Sequence, residues 1–319
     1  PNDLVLSSHV MRLAMHPTAS IIAASEVTGE IQLHEYAVEG NKLGARINHH
    51  TQSCRSLEFS LDGKTLFSGA KDANIGAFDL QTMKPSGMMA AAHSTAISSL
   101  LVVDETTLVS GDDDGVVKVW DLRQRRSCHE LKEHEDFISD MKLAEDGRTL
   151  LCAGGDGYLS VWNRKSGKLL AMSDQFDDEL LSLTILKRGK KVVCGCQSGT
   201  LAIFAWDNWG DMVDRFPGHP QSVESMVKVD EDSVFTCSED GIIRIVSIQP
   251  NKLLGVIGEH DGYPIEHLAL SHDQRFLASC AHDQRVKFWP VGYLFDEQEG
   301  EEGEEGEEEG DDVAMGDAG

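Results

Sequence analysis

The chain has 319 residues, 40% hydrophobic and 26% charged, with 54 acidic against 28 basic side chains and a net charge of −26. That length suits one large domain or two ordinary ones, and the apolar share suffices for a buried core. No run approaches 18 apolar residues and no charged-then-apolar leader opens the chain, so neither a membrane span nor a signal peptide is expected.

The first candidate element, DLVLSS (3–8), reads as a strand with no unit of its own. Beyond it a single frame recurs: TGEIQLHE (28–35), DANIGAFD (72–79), DGVVKVWD (114–121), DGYLSVWN (156–163), SGTLAIFA (198–205), DGIIRIVS (240–247) and DQRVKFWP (283–290). One landmark position runs His34, Phe78, Trp120, Trp162, Phe204, Val246 and Trp289, in steps of 44, 42, 42, 42, 42 and 43 residues. Ahead of each turn lies a β-rich run such as TLVSGDD or KVVCGCQ. Ahead of that run lies an alternating strand that ends in turn chemistry, such as SLEFSLDGK. Four strands in about 42 residues, seven times over, are the signature of a β-propeller blade. The expected fold is therefore all-β, a seven-bladed ring over residues 3–291, with DLVLSS pairing into the last blade and latching the circle.

The repeat also fixes how isolated residues are read. Cys152 and Cys194 fall four residues before their turn residue, as do Ser68, Ser110, Thr236 and Ser279, and so read as small buried groups in a hydroxyl slot. Cys194-Gly195-Cys196 is therefore not taken as a metal pair. Seven cysteines, an odd number, point to a reduced intracellular setting. Of Asp112, Asp113 and Asp114, the repeat assigns Asp114 to the turn and leaves two exposed carboxylates without a fixed partner. No phosphate-binding loop, zinc-protease motif, nucleophile elbow or dinucleotide fingerprint occurs, so neither catalysis nor a cofactor is expected.

In a four-stranded meander the first and third connections share one face. Sorted this way, blade three places Arg123, Arg125 and Arg126 there, blade four Arg148, Arg164, Lys165 and Lys168, and blade five Lys187, Arg188, Lys190 and Lys191. Two readings stand: a docking sector for an acidic or nucleic-acid partner, or ordinary solubilising surface. No aromatic interleaving marks a base-stacking platform, so contact with RNA is limited to the backbone. The stretch WDNWGDMVDRF (206–216) lengthens the third connection of blade five. Trp206 is expected to pack on its blade, and Trp209 to stand exposed as a binding anchor.

The last segment, 296–319, holds 13 acidic residues and no basic ones, half the net charge of the chain. With little apolar surface to offset ordering entropy it reads as disordered. It is either a solubilising terminus or an electrostatic lure for basic partners.

The seven-fold four-strand repeat, which ends in Trp-Asp at Trp120-Asp121, makes the chain resemble the WD-repeat family over residues 3–291. In that family a turn Asp joins a His, a Ser or Thr and the Trp in a buried hydrogen-bonded network. The resemblance assigns His93, Ser110, Asp114 and Trp120 to this network in blade three, and His260, Ser279, Asp283 and Trp289 in blade seven. Blade four has His134, Asp156 and Trp162 with Cys152 in the hydroxyl slot, while blades one and five are incomplete. Stretches such as SLTILKRGKKVVCG, GTLAIFAWDNWG and IIRIVSIQPNKLLGVIGEH resemble one branch of the family more narrowly. That branch implies a nuclear and nucleolar scaffold in ribosomal RNA processing and large-subunit assembly, a monomeric ring with pre-ribosomal partners and no membrane contact. Asp114, Trp120-Asp121 and Arg123 also resemble the box by which WD-repeat proteins dock on the cullin-4 ubiquitin-ligase adaptor. The opposing reading is that Arg123 merely pairs with Asp121.

Overall fold

In the computed structural model, which describes residues 1–295, the chain forms seven antiparallel four-stranded sheets. In six of them the strands follow one another in sequence, from innermost to outermost. The seventh is composite. Leu4–Val5 pairs antiparallel with Arg285–Pro290, with Leu4 opposite Val286 and Val5 opposite Arg285. Leu4 and Leu6 bury against Val10, Cys280 and Val286, so the latch also carries apolar packing. The expected closure by the N-terminal strand is what the structure shows. The acidic segment 296–319, expected to be disordered, lies outside the described residues.

Sequence dictates the strands through two patterns. The innermost strands present different residues to their two neighbours: in Ile138–Leu143, Ile138 and Met141 join the cluster shared with blade three, while Ser139 and Asp140 bond to blade five. The second strands, such as Thr107–Asp112, are buried on both faces and read as continuous apolar or small runs. Where two blades come closest the side chain has to be small. A Cβ on Gly111 would lie 2.6 Å from the Cβ of Ile138 in the next blade, and one on Gly69 would lie 2.6 Å from Ile97. The same slot holds Ala153, Cys237 and Cys280 in other blades, which gives two cysteines a packing role.

Every innermost strand carries a β-bulge at its second residue, where the ladder skips a position: Arg55, Ser98, Ser139 and Glu224 occupy it in blades two, three, four and six. A bulge re-aims the unpaired side chain. Here three of them reach the next blade. The Ser98 hydroxyl donates to the Ile138 carbonyl at 2.7 Å, that of Ser139 to Leu180, and Arg55 pairs with Asp113 at 2.9 Å.

The buried networks follow the expected scheme in blade seven. His260 contacts Asp283 at 2.8 Å and Ser279 at 2.7 Å, and the Trp289 indole donates to Ser279 at 2.8 Å. Blade three corrects it. His93 meets Asp112, not Asp114, at 2.8 Å, with Ser110 at 2.6 Å and the Trp120 indole donating to Ser110 at 2.7 Å. Asp112 ends its strand fully buried, and its second oxygen accepts from the amides of Asp114 and Val116, while the Asp114 side chain is exposed. Asp112 and Asp113 are therefore not free carboxylates. In blade four Cys152 does fill the expected slot, yet the hydroxyl is restored from elsewhere. Ser160 accepts from the Trp162 indole and contacts His134 at 2.7 Å.

Blade five replaces the network with hydrocarbon. Phe176 takes the histidine position and packs edge-on against Phe204, with ring centroids 5.4 Å apart, and Cys194 joins the same cluster. Such aromatic pairs contribute about 0.5–1.5 kcal/mol beyond their burial.

The correction in blade three is testable by urea unfolding. Asp112→Asn is expected to cost about 1–3 kcal/mol, since it weakens the bond to His93 and a turn anchor inside the protein. Asp114→Asn should stay within about 0.5 kcal/mol of wild type.

Candidate docking face

The turns that carry the arginines are built by the residue after each landmark. Asp121 Oδ1 accepts from the amides of Arg123 and Gln124, as Asp79 does from Gln81 and Thr82, and Asn163 from Lys165 and Ser166. Such an Asx turn explains why a short polar side chain follows the landmark in these three blades. Trp120-Asp121 is accordingly scaffolding.

Arg123 is scaffolded but not hidden. Its Nε and Nη2 lie 3.2 and 2.9 Å from the two Asp121 oxygens, a bidentate pair, while its side chain remains 70% exposed. The Arg123 guanidinium holds the Asp121 carboxyl down to about 2. Pairing and presentation thus coexist, and the planar group is oriented before any partner arrives.

The other cations divide. Arg126 and Lys165 are exposed. Arg125, in a left-handed backbone conformation, leans back over Gly87 of blade two and lines an apolar groove with Phe67, Met88 and Leu122. Arg164 is structural: only 13% of its side chain is exposed, Nε donates to the Gly147 carbonyl at 2.8 Å, and it pairs with Asp104 at 3.2 Å. In blade five, Lys187 pairs with Asp232 at 2.6 Å, and the amide of Arg188 donates to Glu231. Arg188 and Lys190 stay exposed, and Lys191 is partly covered.

The expected basic sector is therefore brought to one face, but neighbouring acids neutralise part of it. Asp104, Glu231 and Asp232 stand on first connections, the same class of loop as Lys187 to Lys190, so sorting the acids by the same rule would have found them.

Trp209 corrects its expectation. It is 9% exposed and sits in the cluster between blades four and five with Leu151, Val161 and Phe204, its ring 4.9 Å from Trp206. The loop is pinned where the Asp174 amide donates to the Gly210 carbonyl at 2.6 Å. Trp206 packs against the same cluster shared by blades four and five. The long loop fills an inter-blade cleft in the blade that has no polar network.

Among the described residues no three His, Cys, Asp or Glu side chains are placed to hold a metal ion. Cys194 and Cys196, two apart on one strand, turn into the same apolar cluster, and burial pushes the Cys196 thiol up to about 12. What the face offers is charge presentation on a rigid ring.

Trp209→Ala is expected to cost about 3–5 kcal/mol through the cavity it leaves. Arg126→Ala, which alters only exposed surface, should stay within about 0.5 kcal/mol. Thermal unfolding of the two variants beside wild type checks both.

The sequence matches the WDR55 family over residues 1–294. It is 40% identical over 296 residues to WD repeat-containing protein 55 of Rattus norvegicus, covering 92% of this chain and 77% of that protein. Against the Danio rerio protein of that name it is 42% identical over 300 residues, covering 93% and 78%. Against the one from Arabidopsis thaliana it is 40% identical over 296 residues, covering 92% and 84%. A family match over residues 1–294 and identity of this level over more than nine-tenths of the chain place it in one group: the chain belongs to the WD repeat-containing protein 55 family.

Proposed function

We propose that this protein is a non-enzymatic interaction scaffold of the nucleus and nucleolus, acting in ribosomal RNA processing and large-subunit assembly. The observation that carries the scaffold reading is the presented face, on which Arg123, Arg126 and Lys165 stand exposed on turns held by buried blades. The nucleolar part rests on the family resemblance. An exposed cation array suits acidic segments of pre-ribosomal proteins and the RNA backbone, whose contacts position a complex without reading sequence. Depletion followed by measurement of precursor ribosomal RNAs tests it. Accumulation of large-subunit precursors is expected, and unchanged processing would sink the assignment.

A second reading is favoured by one specific feature, the Asp121-oriented guanidinium of Arg123. It matches the requirement of a docking box for the cullin-4 ligase adaptor, and it would make the protein a substrate receptor. Arg123→Ala should abolish co-purification of the adaptor without shifting the melting temperature, and Arg123→Lys should restore little, because an ammonium cannot reproduce the planar fork. Adaptor binding that survives both substitutions returns Arg123 to a purely local role.

A further inference from the structure

Two gaps between neighbouring blades are built on the same row of side chains and differ in what fills them. Between blades four and five the row is Leu151, Val161 and Ala171, one residue from each of three paired strands. Trp206 and Trp209, from the third connection of blade five, join the cluster built on it. Between blades two and three the row is Phe67, Ala77 and Gly87, at the same register positions. Here the third connection of blade three runs only from Asp121 to Arg126, against Ala205 to Asp214 in blade five. It brings Leu122 to the row and no second large apolar side chain. A groove of about 240 Å³ stays open over Ala77 and Gly87.

The open groove combines uncovered hydrocarbon with an unanswered charge. Its walls are mostly apolar, and Met88 on the rim is 40% exposed, a flexible side chain of the kind that adapts to a guest. Over the bare backbone at Gly87 lies the Arg125 guanidinium, whose Nη1 and Nη2 would both stand 3.3 Å from a Cβ there. Arg125 reaches this place from a left-handed backbone with φ 52°, and its hydrogen bond to the Ser86 carbonyl is long at 3.5 Å. Among the described residues no ion pair joins Arg125 to a carboxylate, although Glu105 lines the same groove. The complementary guest is an apolar group with negative charge beside it.

We propose that the groove between blades two and three receives one aromatic side chain, a tryptophan or phenylalanine, from an acidic segment of a partner protein, with Arg125 pairing a carboxylate next to it. Trp209 supplies the internal precedent: on the matching row, an indole flanked in sequence by Asp207 and Asp211 fills the gap. Aromatic anchors in such pockets carry much of the energy of an interface. The groove is smaller than the roughly 300 Å³ at which small-molecule sites begin, which suits one side chain better than a metabolite. The proposal goes beyond both functional readings above, because it needs Arg125 and the row beneath it, and neither a nucleolar partner nor the ligase adaptor.

The test uses the full chain and a fluorescein-labelled twelve-residue peptide, one tryptophan between two aspartates in a glycine-serine background, followed by fluorescence polarisation at physiological salt. Gly87→Leu plugs the groove from the outer strand Lys84–Met89, where the nearest atoms to an added Cβ belong to the flexible Arg125 side chain. Arg125→Glu reverses the rim charge, and Lys252→Glu makes the same charge change at an exposed site of blade six. All variants keep the acidic segment 296–319, so its repulsion of the peptide is common to them. Affinity is expected to fall about tenfold or more for Gly87→Leu, for Arg125→Glu and for a peptide with alanine in place of tryptophan. Lys252→Glu should change it less than about twofold. Thermal unfolding shows whether each variant is folded; if Gly87→Leu is not, Arg125→Glu and the alanine peptide decide. Absence of binding by the wild type, equal affinity for the two peptides, or full binding by the folded groove variants would overturn the proposal. So would displacement of the peptide by a single-stranded RNA whose own binding falls in Gly87→Leu, since the groove would then hold a base.

Discussion

Everything in this molecule depends on the fact that no blade can bury its own two faces. A four-stranded sheet of about 40 residues exposes apolar side chains on both sides, and only a neighbour on each side removes them from water. The condition is met for all seven blades only if the ring closes. Closure sets the steric demand at the tightest approach, where Gly69 and Gly111 admit the inner strand of the next blade. It also makes the short N-terminal strand disproportionately important, because two residues in register with blade seven remove two edges at once.

Given that constraint, the internal stabilisation of each blade is more interchangeable than a repeat suggests. Blades three and seven hold a histidine, an acid, a hydroxyl and an indole together. Blade four draws its hydroxyl from another strand. Blade six keeps His219 against Thr236, gives Asp240 to Arg244 and leaves one histidine nitrogen without a partner, and burial lowers the His219 pKa to about 4, so it stays neutral. Blade five has abandoned polarity for Phe176, Phe204 and the inserted Trp209. A buried polar network is favourable only when every member is satisfied, so a blade gains by completing it or by removing it.

The two faces of the ring diverge for the same topological reason. The third connections of blades two, three and four are tight turns fixed by Asx side chains, and Arg123, Arg126 and Lys165 stand exposed on or beside them. The opposite face is made by longer inter-blade connections and by the bulges, which direct side chains sideways into the next blade. One face presents charges, and on the other the bulge residues of blades two, three and four reach across to the next blade.

The sequence by itself determined the ring: a period near 42 with an alternating and then a continuous apolar strand in each unit admits no other way to bury both faces, and the unpaired strand at 3–8 had only one edge to join. It also placed Arg123, Arg126 and Lys165 on one face, because meander parity depends only on strand order. What it could not determine was which of several near-equivalent groups completes a contact across sequence-distant elements. Register alone chose Asp114 over Asp112, since the reach of a side chain into a turn is not a property of spacing. Arg164 and Lys187 looked free until Asp104 and Asp232 came beside them from other loops. Trp209 looked exposed because its loop is long, whereas the cleft that receives it exists only once blades four and five are packed together. Periodic burial is encoded locally and can be read locally; the pairing of individual charges and the filling of clefts between blades are decided by three-dimensional proximity.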